Sequence, residues 1–125
     1  MDSFDAGLKM RMKVLGEAHV KRSLGEVDDF NRDLQQIVTG FAWGQIWTRP
    51  GLSLRERSIL NLGMLTALNR PHEFKVHVRG ALNNGLTRDE IREVLIQTAV
   101  YCGFPAAIEA FRLAREVFKD IDGKA

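Results

Sequence analysis

Cysteine is almost missing from this 125-residue chain. A lone Cys102 cannot close an internal disulfide, and there is no CxxC and no Cys/His cluster at ligand spacing, so neither a dithiol redox centre nor a bound metal is expected. Long apolar runs are missing too. Nothing approaches the roughly 18 residues of a membrane span, and the opening residues, Met1 to Gly7, lack the basic and apolar regions of a secretion signal. An excess of one charge is also absent: 18 Lys and Arg stand against 16 Asp and Glu, a formal +2 scattered along the chain, without the clustered cations of a nucleic-acid binder. No segment alternates polar and apolar residues for long enough to make a strand. These absences predict a soluble, unprocessed, cytoplasmic, all-α protein with no membrane or nucleic-acid partner.

What is present describes one folded domain over residues 1–125, with 45% hydrophobic and 27% charged residues. Ser53-Leu-Arg-Glu56 and Thr87-Arg-Asp-Glu90 both read as capping boxes, so a helix is expected after each. Ile59 to Leu68 is apolar almost all round, which predicts a central, buried helix. After Thr87, the spacing of Ile91, Val94, Leu95, Thr98 and Ala99 predicts a one-sided helix. Pro71 suits a helix's first turn and Gly85 its left-handed end, with Phe74, Val78, Ala81 and Leu82 as the core stripe between them. Further helices are expected over residues 4–15, over 27–38, and from Pro105 through Phe118, with a tail fraying from Asp122. His19 falls in an expected helix-ending segment. Tyr101-Cys-Gly-Phe-Pro105 reads as punctuation between two helices around a buried thiol, or else Tyr101 donates a hydrogen bond into a pocket.

Two segments carry chemistry. In Arg70-Pro-His-Glu-Phe-Lys-Val-His77, helical spacing puts Glu73 and His77 at i and i+4, with Arg70 three residues before the glutamate. A cation, a carboxylate and an imidazole on one face suit binding an anion and moving a proton, although the same spacing also makes an ordinary solvated pair. His72, at the helix start, is expected to face solvent, and Arg57 to lie on a helix surface or at an interface. The second segment, Phe41 to Gly51, is read as a connection holding three aromatics, Arg49 and a Pro-Gly turn. Trp43 and Trp47 either plug a core or subunit contact, or form a rim over a small-molecule pocket in which Arg49 meets a carboxylate.

The run Phe41-Ala-Trp-Gly-Gln-Ile-Trp-Thr-Arg-Pro-Gly-Leu52, the block from His77 to Ile91, and Gln97-Thr-Ala-Val-Tyr-Cys-Gly-Phe-Pro-Ala-Ala107 resemble the carboxymuconolactone decarboxylases. Val14-Leu-Gly-Glu-Ala-His-Val20 and Asp29-Phe-Asn31 fit the same resemblance, which spans most of the chain. The block from His77 is shared with the wider alkylhydroperoxidase-D-like superfamily and indicates fold alone; the tryptophan segment is more specific. The resemblance implies a helical subunit of about six to seven helices in a homo-oligomer, typically a hexamer. It also implies a cofactor-free lyase of the protocatechuate branch of the β-ketoadipate pathway, converting the lactone dicarboxylate 4-carboxymuconolactone into 3-oxoadipate enol-lactone and carbon dioxide.

His77 occupies the superfamily's shared position and is expected to donate the proton or stabilise an oxyanion. Glu73 beside it would orient and charge the ring, or act as the acid if buried; this role, and those of Arg70, Arg49, Trp43, Trp47 and Tyr101 around the substrate, are readings of the residues themselves. In the peroxidase branch a CxxC pair stands where this chain has Arg70 and Glu73, and a relay glutamate stands where it has Ser58. Thiol peroxidase chemistry is therefore not expected.

Overall fold

Asp2 opens the first helix by accepting a hydrogen bond from the Asp5 backbone N–H at 2.9 Å, which satisfies one of the donors that a helix start leaves open. The computed structural model describes residues 2–123. Among these there is no strand, and the fold is all-helical as expected. The elements are α1 (Ser3–Leu15), α2 (Glu17–Gly25), α3 (Arg32–Ile37), a π-helical segment (Val38–Ile46), α4 (Leu54–Ala67), α5 (Pro71–Asn83), α6 (Arg88–Cys102) and α7 (Phe104–Ile121). They fall into two compact units, one ending at Leu54 and the other beginning at Arg55.

In the first unit, α1 lies directly against the π-helical segment, backbone on backbone. A Cβ at Gly7 would sit 1.8 Å from the Thr39 carbonyl oxygen, and one at Gly44 would sit 2.0 Å from that of Ser3, so only glycine permits the approach. Arg11 crosses this unit almost wholly buried. It donates to Gln35 Oε1 and Thr39 Oγ1, both at 3.1 Å, and to Ser23 Oγ at 3.3 Å, and burial lowers its pKa.

Three expectations for this half change. The helix expected from residue 27 begins at Arg32, because Asp28 Oδ1 accepts from the N–H groups of Phe30 and Asn31 and closes a side-chain turn in front of it. The stretch from Phe41 to Ile46 is not a connection but the widened end of that same helix, packed on α1 through Gly44. His19 lies inside α2, which starts at Glu17 immediately after Gly16 turns the chain at φ +92°.

The second unit starts at the expected signals. Thr87 Oγ1 accepts from Glu90 N–H at 3.0 Å and Glu90 Oε1 accepts from Thr87 N–H at 2.9 Å, a complete capping box for α6. Pro71 begins α5, and Gly85 leaves it at φ +97°. The core joins Leu62 of α4, Phe74, Val78 and Ala81 of α5, Ile91 and Leu95 of α6, and Leu113, Ala114 and Val117 of α7. At roughly 1.5–3 kcal/mol for each large apolar side chain buried, this cluster is the main stabilising term of the unit.

The expectation for α4 is overturned. Ser58, Leu62 and Thr66, one stripe at four-residue spacing, face inward, while Ile59, Leu60, Met64 and Leu68 are exposed. Hydrophobicity all round shows that a helix avoids water, but the chain covers only one stripe of it. Cys102 is likewise exposed rather than buried, since it ends α6 beyond the last inward turn. Asp122 does not fray: Arg88 grips its two carboxylate oxygens at 3.1 and 2.7 Å. Residues 124–125 of the expected tail lie outside the described residues.

Candidate active site

α5 carries three of the expected site residues. Arg70 is its N-cap, Glu73 lies in its first turn, and His77 follows one turn later. The rise of about 1.5 Å per residue puts Arg70 and His77 about 10 Å apart along the helix axis and nearly on one face. His77 is half-buried with its Nδ1 atom shielded from solvent, so water reaches only part of the ring.

Glu73 is exposed and makes no hydrogen bond or ion pair among the described residues. The burial that would fit it to act as an acid is missing. Arg70 is also exposed, and its guanidinium meets no carboxylate among the described residues. It follows Asn69, the one described non-glycine residue with positive φ, at +57°. Arg70, Asn69 and Thr66 contribute polar groups to a cavity of about 290 Å³ whose apolar wall includes Phe74, Pro105 and Leu113. Its one acidic side chain, Glu109, is held by Arg112 at 2.5 and 3.0 Å, so Arg70 remains available to an incoming anion. Glu73 and His77 do not line this cavity.

Near the far end of α5, Asn84 Nδ2 donates to Ser58 Oγ at 2.8 Å and ties α5 to α4. Ser58 is fully buried, at the position where the peroxidase branch would carry an acid. Here that position holds a neutral hydroxyl–amide pair. Sequence reading passed over Asn84; the only signal was two asparagines before the glycine that ends α5. Arg57, beside Ser58, is half-buried with its Nε shielded, not simply on a helix surface. His72 is exposed, as expected.

Other expected residues stand elsewhere. Trp43 and Trp47 are buried in the first unit, with ring centroids 4.7 Å apart and planes within 12° of parallel. Trp43 on the π-helical segment and Trp47 at its C-cap are four residues apart, which brings the rings together. Arg49 is exposed in the turn after that segment. Tyr101 is 80% exposed on α6 and lines an apolar cavity of about 620 Å³ with Ile59, Leu60 and Met64; Arg70 and His77 do not line that cavity. Among the described residues no group of three or more His, Cys, Asp or Glu is placed to hold a metal ion, and no helix is long and apolar enough to cross a membrane.

The chain is 45% identical over 118 residues to a 4-carboxymuconolactone decarboxylase of Acinetobacter baylyi, covering 94% of this chain and 88% of that protein. It is 42% identical over 121 residues to a nitrosuccinic acid decarboxylase of Metarhizium robertsii, covering 97% and 85% respectively. A shorter stretch of 41 residues, 33% of this chain, is 46% identical to 85% of a 4-carboxymuconolactone decarboxylase sequence of Pseudomonas putida. A profile described as "Carboxymuconolactone decarboxylase family" matches residues 32–116.

Proposed function

Because the chain belongs to the carboxymuconolactone decarboxylase family, we propose that it converts 4-carboxymuconolactone into 3-oxoadipate enol-lactone and carbon dioxide. The observation that carries this reading is the 45% identity to a protein of that activity along 94% of the chain. The family match also runs through the boundary at Leu54, which supports treating residues 1–125 as one functional domain.

The bonds of the substrate set the task. When the ring carbon loses its carboxylate, the remaining electron pair conjugates through the ring double bond into the lactone carbonyl, giving a furanolate-like dienolate. A proton then returns to carbon. The substrate is its own electron sink, so the protein must hold two carboxylates, stabilise the growing oxyanion and supply that proton.

In this reading His77 donates the proton, its half-buried ring offering one protected and one reachable edge. Glu73, one helical turn away and without a hydrogen bond to the ring, supports its charge through space. Arg70 grips a carboxylate with two N–H groups, consistent with its lack of an acidic partner among the described residues. Arg49, Trp43 and Trp47 keep the substrate-binding roles expected from the sequence, the stacked tryptophan rings holding rigid the segment that leads to Arg49. Tyr101 takes part only through a neighbouring subunit, since it lies on the exposed α4–α6 surface.

That surface supports assembly. Ile59, Leu60 and Met64 of α4 and Tyr101 of α6 line one exposed apolar surface, which a second copy of the chain would cover. We read the protein as a homo-oligomer, in the expected form a hexamer. It acts in the cytoplasm, where a single exposed thiol stays reduced, in the protocatechuate branch of the β-ketoadipate pathway.

The similarity to a nitrosuccinic acid decarboxylase over 97% of the chain favours a second substrate reading. Both substrates contain a succinate core, a departing carboxylate and a neighbouring –CH₂–COO⁻ arm, and both place an electron sink on the carbon that loses carbon dioxide. The sink is a conjugated lactone in one and a nitro group in the other. One fold can therefore serve both by keeping the carboxylate clamp and changing what receives the electron pair. Freshly prepared 4-carboxymuconolactone and nitrosuccinate, each supplied to purified protein without added metal, test the choice. Enol-lactone and carbon dioxide forming well above the spontaneous rate support the first reading. Turnover of nitrosuccinate alone would replace it, and turnover of neither would leave a helical oligomer that binds organic acids without reacting them.

A further inference from the structure

Between α6 and α7 runs a groove of about 390 Å³ that none of the residues proposed for decarboxylation lines. Its floor is apolar: Ile91, Leu95 and Ala114 are buried beneath it, and Phe111 and Phe118 flank it. Four cations and two carboxylates form its rim.

The two carboxylates are already engaged. Asp122 accepts both terminal nitrogens of Arg88, whose guanidinium also lies 4.7 Å over the Phe118 ring, and Asp89 pairs with Arg92 at 3.2 Å. Arg115 and Lys119 have no acidic partner among the described residues. They stand at i and i+4 on α7, a like-charge arrangement that disfavours the helix. The groove thus concentrates two uncompensated charges, equal to the formal +2 of the entire chain, while acidic and basic side chains balance elsewhere.

We propose that this groove binds a small organic dianion with a flat apolar body, seated between Phe111 and Phe118 and held by Arg115 and Lys119. The volume lies within the range of small-molecule sites, and apolar walls with a few convergent polar groups are their usual make-up. Two carboxylates would neutralise the two free cations and remove their mutual repulsion. A planar body suits the exposed Phe111 ring, while the Arg88 guanidinium already covers one face of Phe118. None of Arg70, Glu73 and His77 lines the groove, so it is a separate place from the one proposed for decarboxylation.

The test uses isophthalate, a planar aromatic dianion, with the full-length wild-type chain and with the double variant Arg115→Ala/Lys119→Ala. Amide resonances are followed by NMR and affinity is measured by calorimetry. The expected result is chemical-shift change concentrated in residues 88–95 and 111–122, with binding at least about tenfold weaker in the double variant and weakened by salt in the wild type. Dimethyl isophthalate, which keeps the ring and loses both charges, should bind far less. Equal affinity in wild type and variant, equal affinity for the diester, shifts centred on α5, or no binding at millimolar isophthalate would each overturn the proposal. Both substituted side chains are exposed, and the salt dependence in the wild type gives a second readout should the variant fold poorly.

Discussion

Glu90 accepts hydrogen bonds from both terminal nitrogens of Arg55, at 3.1 and 2.6 Å, while capping its own helix through Thr87. Arg55 also donates to the Gly85 carbonyl at 2.9 Å, so one side chain joins α4 to the turn between α5 and α6. The Arg55 guanidinium is the main reason the Glu90 carboxyl is held down at about 2, with the Thr87 backbone N–H second.

Stability should carry the mark of that pair. In the unfolded chain this carboxyl titrates near about 4.3, so the folded state prefers it ionised and its contribution is complete above that pH. As pH falls from about 5 towards 2, the contribution is lost. Thermal unfolding of wild type and Glu90→Gln should therefore differ most near pH 7, with the gap closing as pH approaches 2. A gap independent of pH would mean that the pair does not set this slope.

Substitution of His77 separates chemistry from folding. His77→Ala should lower the decarboxylation rate at least about a hundredfold, the scale of a lost general acid, with little change in melting temperature. Steady-state kinetics and a melting curve on the same preparation decide the matter. Retained turnover would move the proton to another group.

Arg70 should act on binding more than on the chemical step. Arg70→Met removes an exposed cation with no acidic partner, so the fold should hold while KM rises about tenfold or more, the worth of a lost charge-assisted contact. Arg70→Lys should recover part of the loss, because an ammonium attracts the carboxylate without the two-pronged fit. Unchanged KM in Arg70→Met would take Arg70 out of the site.

Assembly should be sensitive to charge on the apolar face of α4. Leu60→Asp and Met64→Asp change exposed side chains of the subunit, so the helix content seen by circular dichroism should persist. Sedimentation should nevertheless show smaller species than the wild type. An unaltered sedimentation coefficient would place the subunit contact elsewhere.

Closeness of α1 to the π-helical segment gives the sharpest steric prediction. Gly7→Ala forces a methyl group against the Thr39 carbonyl and Gly44→Ala forces one against that of Ser3, with backbone rather than a flexible side chain as the obstacle. Each should destabilise the protein by about 1–3 kcal/mol or more, read from urea unfolding. Gly25→Ala, where a Cβ meets nothing within 4 Å, is the matched control and should be near neutral or stabilising.

Much of the fold was legible because its signals are local. The capping box at Thr87, Pro71 at the head of α5 and Gly85 at its end act within a few residues, so chain order alone carries them. The i, i+4 placement of Glu73 and His77 is equally a property of one helix. Sequence therefore determined an all-helical chain, the position of most helices, the absence of a dithiol, and a cation, an acid and an imidazole along α5.

Tertiary structure decided what depends on neighbours distant in sequence. It opened the helix at Val38–Ile46 into π geometry, where Gly7 and Gly44 let two backbones touch. It left half of an apolar α4 in water, because periodicity reveals which residues avoid solvent but not which surface covers them. It joined Ser58 to Asn84 across 26 residues, left Glu73 exposed, and put two unmatched cations on one groove with Phe111 and Phe118. Such contacts are formed by packing, and a side chain's burial and partner exist only once the elements have met.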